Sequence, residues 1–341
     1  MRVFTFNIDY LFEAFIFLCL SFLVALFITP VFTDFLYKNK IGKKIRSADY
    51  EGKKTPIYSR LHKSKENTPT MGGVLVWGVS GIITLVANFS RSGTLLPLFT
   101  LIGSGLVGGV DDLMNALGLG VDRGGMRFRT KFFIYSIIAA AGAWWFAYKL
   151  DWLSRPFFLP PFGDLILGYW YIPVFIFILV FIAFAANQTD GLDGLAGGIF
   201  TFAFASYIFI SLVKGNYPLA IFCATISGAL LAFLWFNIYP ARFFMGDTGS
   251  MSLGMTLGVI AFLTNTVYVL PFVGFVMILE ALTTIIQIVS KRFFKRKVFL
   301  VAPIHHHFEA KGWPETKVTM RFWIVNAVTS AIGIALVLIV G

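Results

Sequence analysis

The sequence predicts an all-α fold: a polytopic integral membrane protein of about ten transmembrane helices, with both termini outside and the ninth helix bent. Composition is the first ground. Apolar residues make up 57% of the 341 positions, aromatics 17% and charged residues only 13%, and the mean hydropathy is +0.80, far from the values of soluble domains. Apolar runs near the ~20 residues needed to cross a bilayer are the second ground. They fall at roughly 11–33, 71–89, 94–110, 132–150, 168–186, 195–213, 218–238, 249–264, 268–289 and 322–340. Each must be helical, because lipid offers no partner to a free backbone N–H or C=O.

Taken in order, the first run follows no basic stretch with a small-residue cleavage site, so it reads as a retained helix. The third run ends on Asp111 and Asp112, the fifth on Asn187, and the eighth is headed by Asp247. Between the fourth and fifth, 151–167 contains Trp152, Pro156, Pro160 and Pro161, with Trp170 close by. It is too short and broken to span and is expected at the outer interface. The ninth run carries Pro271 and a mid-membrane Glu280, the signs of its bend. No fixed-period repeat, low-complexity tract or long linker divides the chain, so 1–341 reads as one membrane domain. Cys19 and Cys223 lie in apolar helices without a CxxC or Cys/His pattern, and read as small buried hydrophobes with no disulfide.

Basic residues set the orientation. Loop 37–65 holds Lys38, Lys40, Lys43, Lys44, Arg46, Lys53, Lys54, Arg60, Lys63 and Lys65, and loop 291–321 holds Lys291, Arg292, Lys295, Arg296 and Lys297. Both are assigned to the cytoplasm. Counting helices from them makes 37–70, 111–131, 187–194, 239–248 and 290–321 cytoplasmic, and leaves the other connections with few basic residues. The net charge of +11 abuts helix ends, where it suits anionic headgroups or a phosphorylated ligand rather than nucleic acid.

This topology gathers three acidic strings, VDDLMN (110–115), NQTDGLDG (187–194) and FMGDTGS (244–250), on the inner face. Adjacent Asp111 and Asp112 repel unless a cation neutralises them, although a solvated helix terminus would also hold them. Asn187, Asp190 and Asp193 share one face if the string is helical, with Gly191 and Gly194 admitting a close backbone or phosphate; a helix start capped by Asp is the other reading. Asp247 heads a helix whose N–H groups suit a cap or a phosphate equally. A cap explains each string singly but not three on one face, and the joint reading is a metal-phosphate site whose oxygen ligands favour Mg²⁺ or Mn²⁺ over zinc. His305, His306 and His307 cannot all point one way, so they read as donors to a substrate anion rather than as a zinc site.

Five strings carry a resemblance: TPTMGG (68–73), the Asp pair, NQTDGLDGLAGG (187–198), FNIYPARFFMGDTGS (236–250) and APIHHHFEAKGWPE (302–315). In order and over nearly the whole chain they resemble the phospho-N-acetylmuramoyl-pentapeptide transferases, a branch of the polyprenyl-phosphate N-acetylhexosamine-1-phosphate transferases. The resemblance implies a ten-helix enzyme of the bacterial cytoplasmic membrane, usually a homodimer. It would use Mg²⁺ to move phospho-MurNAc-pentapeptide from UDP-MurNAc-pentapeptide to undecaprenyl phosphate, giving lipid I and UMP for peptidoglycan synthesis. Asp111, Asp112, Asp247 and Lys131 match catalytic positions, and Asp247 also matches the family's metal-binding Asp. Asn187, Asp190, Asp193 and Asn237 match the polar shell of the nucleotide. Lys65, Thr68, Phe244, Gln287 and His305–His307 match substrate- or inhibitor-contacting positions.

Three positions depart from the family pattern. Asn115 replaces the usual Lys, Leu113 a Tyr and Asn67 a Gly, with Arg123, Arg127, Arg129 and Lys131 near enough in sequence to supply charge. The rival readings are a sister transferase acting on another UDP-HexNAc, a membrane transporter, and a lipid-binding scaffold indifferent to loss of Asp247.

Overall fold

The computed structural model describes residues 8–42, 65, 68–120 and 125–340. Of the positions named above, Lys43, Lys44, Arg46, Lys53, Lys54, Arg60, Lys63, Asn67 and Arg123 lie outside the described residues. Each of the ten apolar runs corresponds to helix. They are α1 (Ile8–Lys38), α2 (Gly73–Ala87), α3 (Leu95–Ala116), α4 (Phe128–Trp144, continued by a π turn to Lys149), α5 (Tyr171–Thr189), α6 (Leu195–Val213), α7 (Tyr217–Asn237), α8 (Asp247–Leu263), the broken pair α9 (Leu270–Val273) and α10 (Phe275–Phe293), and, after a short α11 (Ile304–Ala310), α12 (Glu315–Val340).

Among the described residues seven helices are long and apolar enough to cross a membrane, or eight with the broken pair taken as one span. The remaining two runs, α2 and α8, have only 15 and 17 residues. At 1.5 Å rise these reach about 23 and 26 Å, short of a ~30 Å hydrocarbon core. Protein compensates for the deficit of α8: every residue from Thr248 to Phe262 is buried, chiefly between α3 and α5.

The outer surface shows that lipid is the solvent. On α1 the buried side chains are small as far as Thr33 (Ala14, Ser21, Ala25, Thr29, Thr33), with Leu36 buried at the end, while Phe12, Phe15, Leu20, Leu23 and Phe27 point outward. Small residues let helices approach where no hydrophobic drive separates protein from lipid, and the carbonyl of Leu18 comes so close to Gly228 on α7 that any side chain there would collide with it. α10 follows the same inverted pattern, with Glu280, Thr283, Gln287 and Ser290 inward and Leu282, Ile285, Ile288 and Val289 outward. Cys223 is buried as expected, but Cys19 lies on the outward face of α1; an apolar helix in lipid need not bury its small residues, and both thiols are free.

The ninth span is bent by 83°. Its pivot is Gly274 rather than Pro271, which occupies the first turn of α9 where its missing N–H costs nothing. Asn326 of α12, fully buried, satisfies the interrupted backbone by donating to Val273 O (3.1 Å) and accepting from Val276 N (3.4 Å). Residues 151–167 do not span, but they contain structure that the proline-rich sequence concealed. Strands β1 (Phe157–Leu159) and β2 (Gly163–Leu165) pair antiparallel, pinned by Asn265, which accepts from Phe158 N and donates to Pro156 O. Exposed Phe162, Ile166, Tyr169 and Trp170 surround them.

The helices alternate so that the C-terminal ends of α3, α5 and α7 meet the N-terminal ends of α4, α8 and α12. The starts of α1 and α7 stack through Tyr10 and Tyr217 at the other end, so Ile8 and Val340 lie on the face opposite the acidic strings. With Cys19 and Cys223 replaced by Ala, a Cys at Lys297 is expected to react with a membrane-impermeant thiol reagent only after the inner face is opened, and a Cys at Ser92 from outside. The opposite labelling pattern would invert the orientation taken from the basic loops.

Candidate active site

The end of α3 presents Asp111 and Asp112 side by side, both buried. One turn into α4, Lys131 reaches back and donates from Nζ to Asp111 Oδ2 and to Asp247 Oδ2, each at 2.5 Å. Asp247 Oδ1 accepts from Asn187 Nδ2 at 2.7 Å, and the other Asp111 oxygen accepts from Met126 N at 2.6 Å. Two of the acidic strings thus meet at one ammonium, and the third joins them through Asn187 on Asp247.

Asp112 does something different. Its two carboxylate oxygens accept from Asp247 N (3.2 Å) and Thr248 N (3.0 Å), so α3 caps the start of α8 from outside. Gly246 N donates to Asp190 (3.0 Å), while Gly249 N and Ser250 N donate to Gly246 O. The first N–H groups of α8 are therefore all taken by protein, which corrects the expectation that they stand free for a phosphate. Asp247 is also not a cap: its side chain faces Lys131 and Asn187, and Gly246 occupies the cap position with φ +76°. A side chain on Gly246 would strike the Asp112 carboxylate and Thr70.

The NQTDGLDG string is a turn, not a helix face. Asn187 sits in the last turn of α5, while Asp190 and Asp193 lie in the link to α6 and aim in different directions. Asp193 accepts from Lys65 Nζ (2.6 Å) and Ala241 N (3.0 Å). Glu315, at the start of α12, accepts from the same Lys65 and from Asp193 N (2.6 Å). Asn237 closes the turn, accepting from Gly194 N and donating to Phe243 O. Lys65 lies 5.8 Å above the half-buried Phe244 ring, and Thr68 donates its backbone N–H to Lys65 O. Burial disfavours the Lys65 charge, but Glu315 and Asp193 outweigh it and hold its pKa above the usual 10.5.

A third group adjoins this turn. Gln287 is tied to the 298–299 backbone by three hydrogen bonds, and His307 Nδ1 accepts from Leu300 N. His306 pairs with Glu309 at 2.7 Å. His305 is fully buried with Nδ1 3.0 Å from Glu280 Oε2, an ion-pair distance without hydrogen-bond alignment, and its ring packs against Gly191 with no room for a side chain there. The three histidines thus diverge, as consecutive residues must. Burial and the Lys311 charge lower the His307 pKa.

Glu315 and Met126 were missed in the sequence. Glu315 ends a string that draws attention for its histidines, and an acid in a first helical turn looks like dipole complementation. Its pairing with Lys65 across 250 residues leaves no local signal, and the Met126 contact is a backbone one. Glu315→Gln is expected to lower the thermal midpoint by several degrees, since a charged hydrogen bond contributes about 1.5–3 kcal/mol. Because the folded pKa of Lys65 is raised, its contribution is complete below 10.5 and fades only as pH climbs through the folded value. The deficit of the variant is therefore expected to be flat from neutrality to mildly alkaline pH, as melting curves would show.

Comparison with known proteins rests on the same residues. The model of glycosyl transferase family 4 matches residues 94–265, from α3 through α8, and the phospho-N-acetylmuramoyl-pentapeptide-transferase signature 1 matches 65–75, the Lys65–Thr68 segment. A phospho-N-acetylmuramoyl-pentapeptide-transferase of Chloroflexus aggregans is 37% identical over 94% of this chain and 88% of its own length. The chain belongs to the phospho-N-acetylmuramoyl-pentapeptide-transferase family. Further members are similar at the same level: that of Chloroflexus aurantiacus is 36% identical over 94% of this chain and 88% of its own, and that of Geobacillus thermodenitrificans 37% over 93% and 95%.

Proposed function

We propose that this transferase-family chain moves phospho-MurNAc-pentapeptide from UDP-MurNAc-pentapeptide to undecaprenyl phosphate on the cytoplasmic face of the bacterial inner membrane, giving lipid I and UMP. An acceptor phosphate oxygen bonds to the sugar-bearing phosphorus, the pyrophosphate P–O bond breaks, and UMP leaves. The observation that carries this reading is the meeting of Asp111 and Asp247 at Lys131, with Asn187 bonded to Asp247, at a helix-end plane of a lipid-exposed bundle. A phosphate on a prenyl tail meets a water-soluble nucleotide only at such a plane.

The acceptor is a phosphate anion carrying roughly −1.5 to −2 charges near neutral pH, so a strong base is not needed. Asp111 has both oxygens engaged and orients Lys131. Asp112 fixes the start of α8 and with it the direction of Asp247. Lys131, the ammonium ion-paired to both Asp111 and Asp247, is the group that neutralises the transferring phosphates.

Mg²⁺ fits this donor set. Two carboxylates, Asp111 and Asp247, meet one ammonium, Asp112 is bonded to the backbone beside them, and the donor atoms of all three are hard oxygens. Among the described residues no three His, Cys, Asp or Glu side chains are arranged as a ligand group, so a Mg²⁺ ion here would take one or two carboxylates and fill the rest of its shell with substrate phosphate and water. Asp247, with side-chain exposure of 20% against 5% for Asp111, is the carboxylate that would hold it. Bound there, the ion would offset the charge of the nucleotide phosphates; Mn²⁺ would substitute. A homodimer is the proposed assembly.

The distinction from a sister transferase lies in the Gln287 and histidine group. His306→Ala is expected to lower kcat/KM for the UDP-sugar-peptide about ten- to a hundredfold while leaving the Mg²⁺ concentration for half-maximal rate unchanged. A large rise in that concentration would make the histidines metal ligands. UDP-GlcNAc is expected to be a poor donor in the same assay; equal use of both would favour the sister activity.

A further inference from the structure

At the end of the bundle opposite the carboxylates lies a cavity of about 390 Å³ lined by Ser90, Ser92, Trp152, Arg155 and Asn216 among others. A second, of about 280 Å³, shares Ser92 and Leu150 with it and adds Arg91, Trp145 and Lys149. Three cations thus border two adjoining depressions, Arg155 the first and Arg91 and Lys149 the second. None of them forms an ion pair among the described residues, although Asp151 and Asp164 occupy the same end of the molecule. Instead Arg155 lies 5.3 Å over the Trp152 ring and Lys149 lies 5.8 Å over Trp144, arrangements that hold a cation in place without cancelling its charge.

One hydrogen-bond donor also goes unused there. The Trp145 indole N–H is buried with no acceptor, and the 90–94 turn uses its own Ser90 and Thr94 hydroxyls internally, leaving Ser92 outward and exposed. Together the two depressions offer an anion of phosphate size three positive charges and the exposed Ser92 hydroxyl.

The surroundings identify what carries that anion. Phe89, Trp144 and Tyr148 flank the depressions with exposures of 53%, 51% and 58%, an aromatic band of the kind found at a membrane–water interface. Below them the helices present apolar surface, with Ile82, Leu85 and Val86 exposed on α2. We propose that this pair of depressions is a binding site for the phosphate headgroup of an anionic glycerophospholipid, the phosphate among Arg91, Lys149 and Arg155 and the acyl chains along α2 and α4. A free phosphate would use the charges but not the aromatic and apolar flank.

The test uses the full chain purified in detergent, with native mass spectrometry counting bound phosphatidylglycerol against phosphatidylcholine. The triple variant Arg91→Gln/Lys149→Gln/Arg155→Gln is expected to lose the tightest-held phosphatidylglycerol, at least about tenfold in apparent affinity, while Lys295→Gln/Arg296→Gln/Lys297→Gln on the other face keeps it. If the first triple variant melts early in detergent, Arg155→Gln alone is used, with a smaller loss expected. Retention of that lipid by the first variant would overturn the site. Displacement of the lipid by millimolar inorganic phosphate would overturn the lipid assignment.

Discussion

Asp247→Asn is expected to reduce kcat by at least about a hundredfold, the scale of losing one strong preorganised electrostatic contact, while barely moving the melting temperature. The amide oxygen retains one acceptor, Asn187 and Lys131 remain nearby, and no backbone group depends on the Asp247 side chain. Chelation is expected to abolish wild-type turnover, and Mg²⁺ or Mn²⁺ to restore it for the wild type alone. Asp112→Asn makes the contrast. Its two oxygens accept from Asp247 N and Thr248 N, so an amide leaves one N–H of α8 unsatisfied, and this variant is expected to lose activity and thermal stability together. An Asp247→Asn enzyme with unchanged turnover would remove the metal site from the account.

The second large effect is expected at Lys131. Removing its ammonium leaves Asp111 and Asp247 facing each other without the cation that now bridges them, a change whose cost in other buried pairs is about 3–5 kcal/mol. Lys131→Met is expected to lower kcat about 10²–10³-fold. It is also expected to lower the Mg²⁺ concentration for half-maximal rate, because a competing cation has left Asp247. A steady-state Mg²⁺ titration reads both numbers. A raised metal requirement would mean that Lys131 supports the metal rather than the substrate phosphates.

The sequence makes much of this legible for reasons specific to lipid. Backbone satisfaction forces apolar runs to be helices, so ten runs became ten helical positions, and basic loops ordered the acidic ends onto one face. What remained hidden is set by contacts distant in sequence. Asp247 looks like a cap because it heads a helix, yet the cap is Asp112, 135 residues earlier. Asp190 and Asp193 have helical spacing, yet Gly191 and Gly194 break the helix there; Gly194 sits at φ +75°. The bend of the ninth span is signalled by Pro271, but the residue that makes it affordable is Asn326, which no local pattern connects to it.

The central claim is phosphoglycosyl transfer at the Asp111–Lys131–Asp247 cluster. The most direct measurement incubates purified protein with UDP-MurNAc-pentapeptide, undecaprenyl phosphate and Mg²⁺, following UMP and the lipid-soluble sugar-peptide together. One UMP is expected for each lipid-linked product, with both lost in Asp247→Asn. Absence of UMP from folded, lipid-supplemented wild-type protein, or equal turnover by the variant, would contradict it.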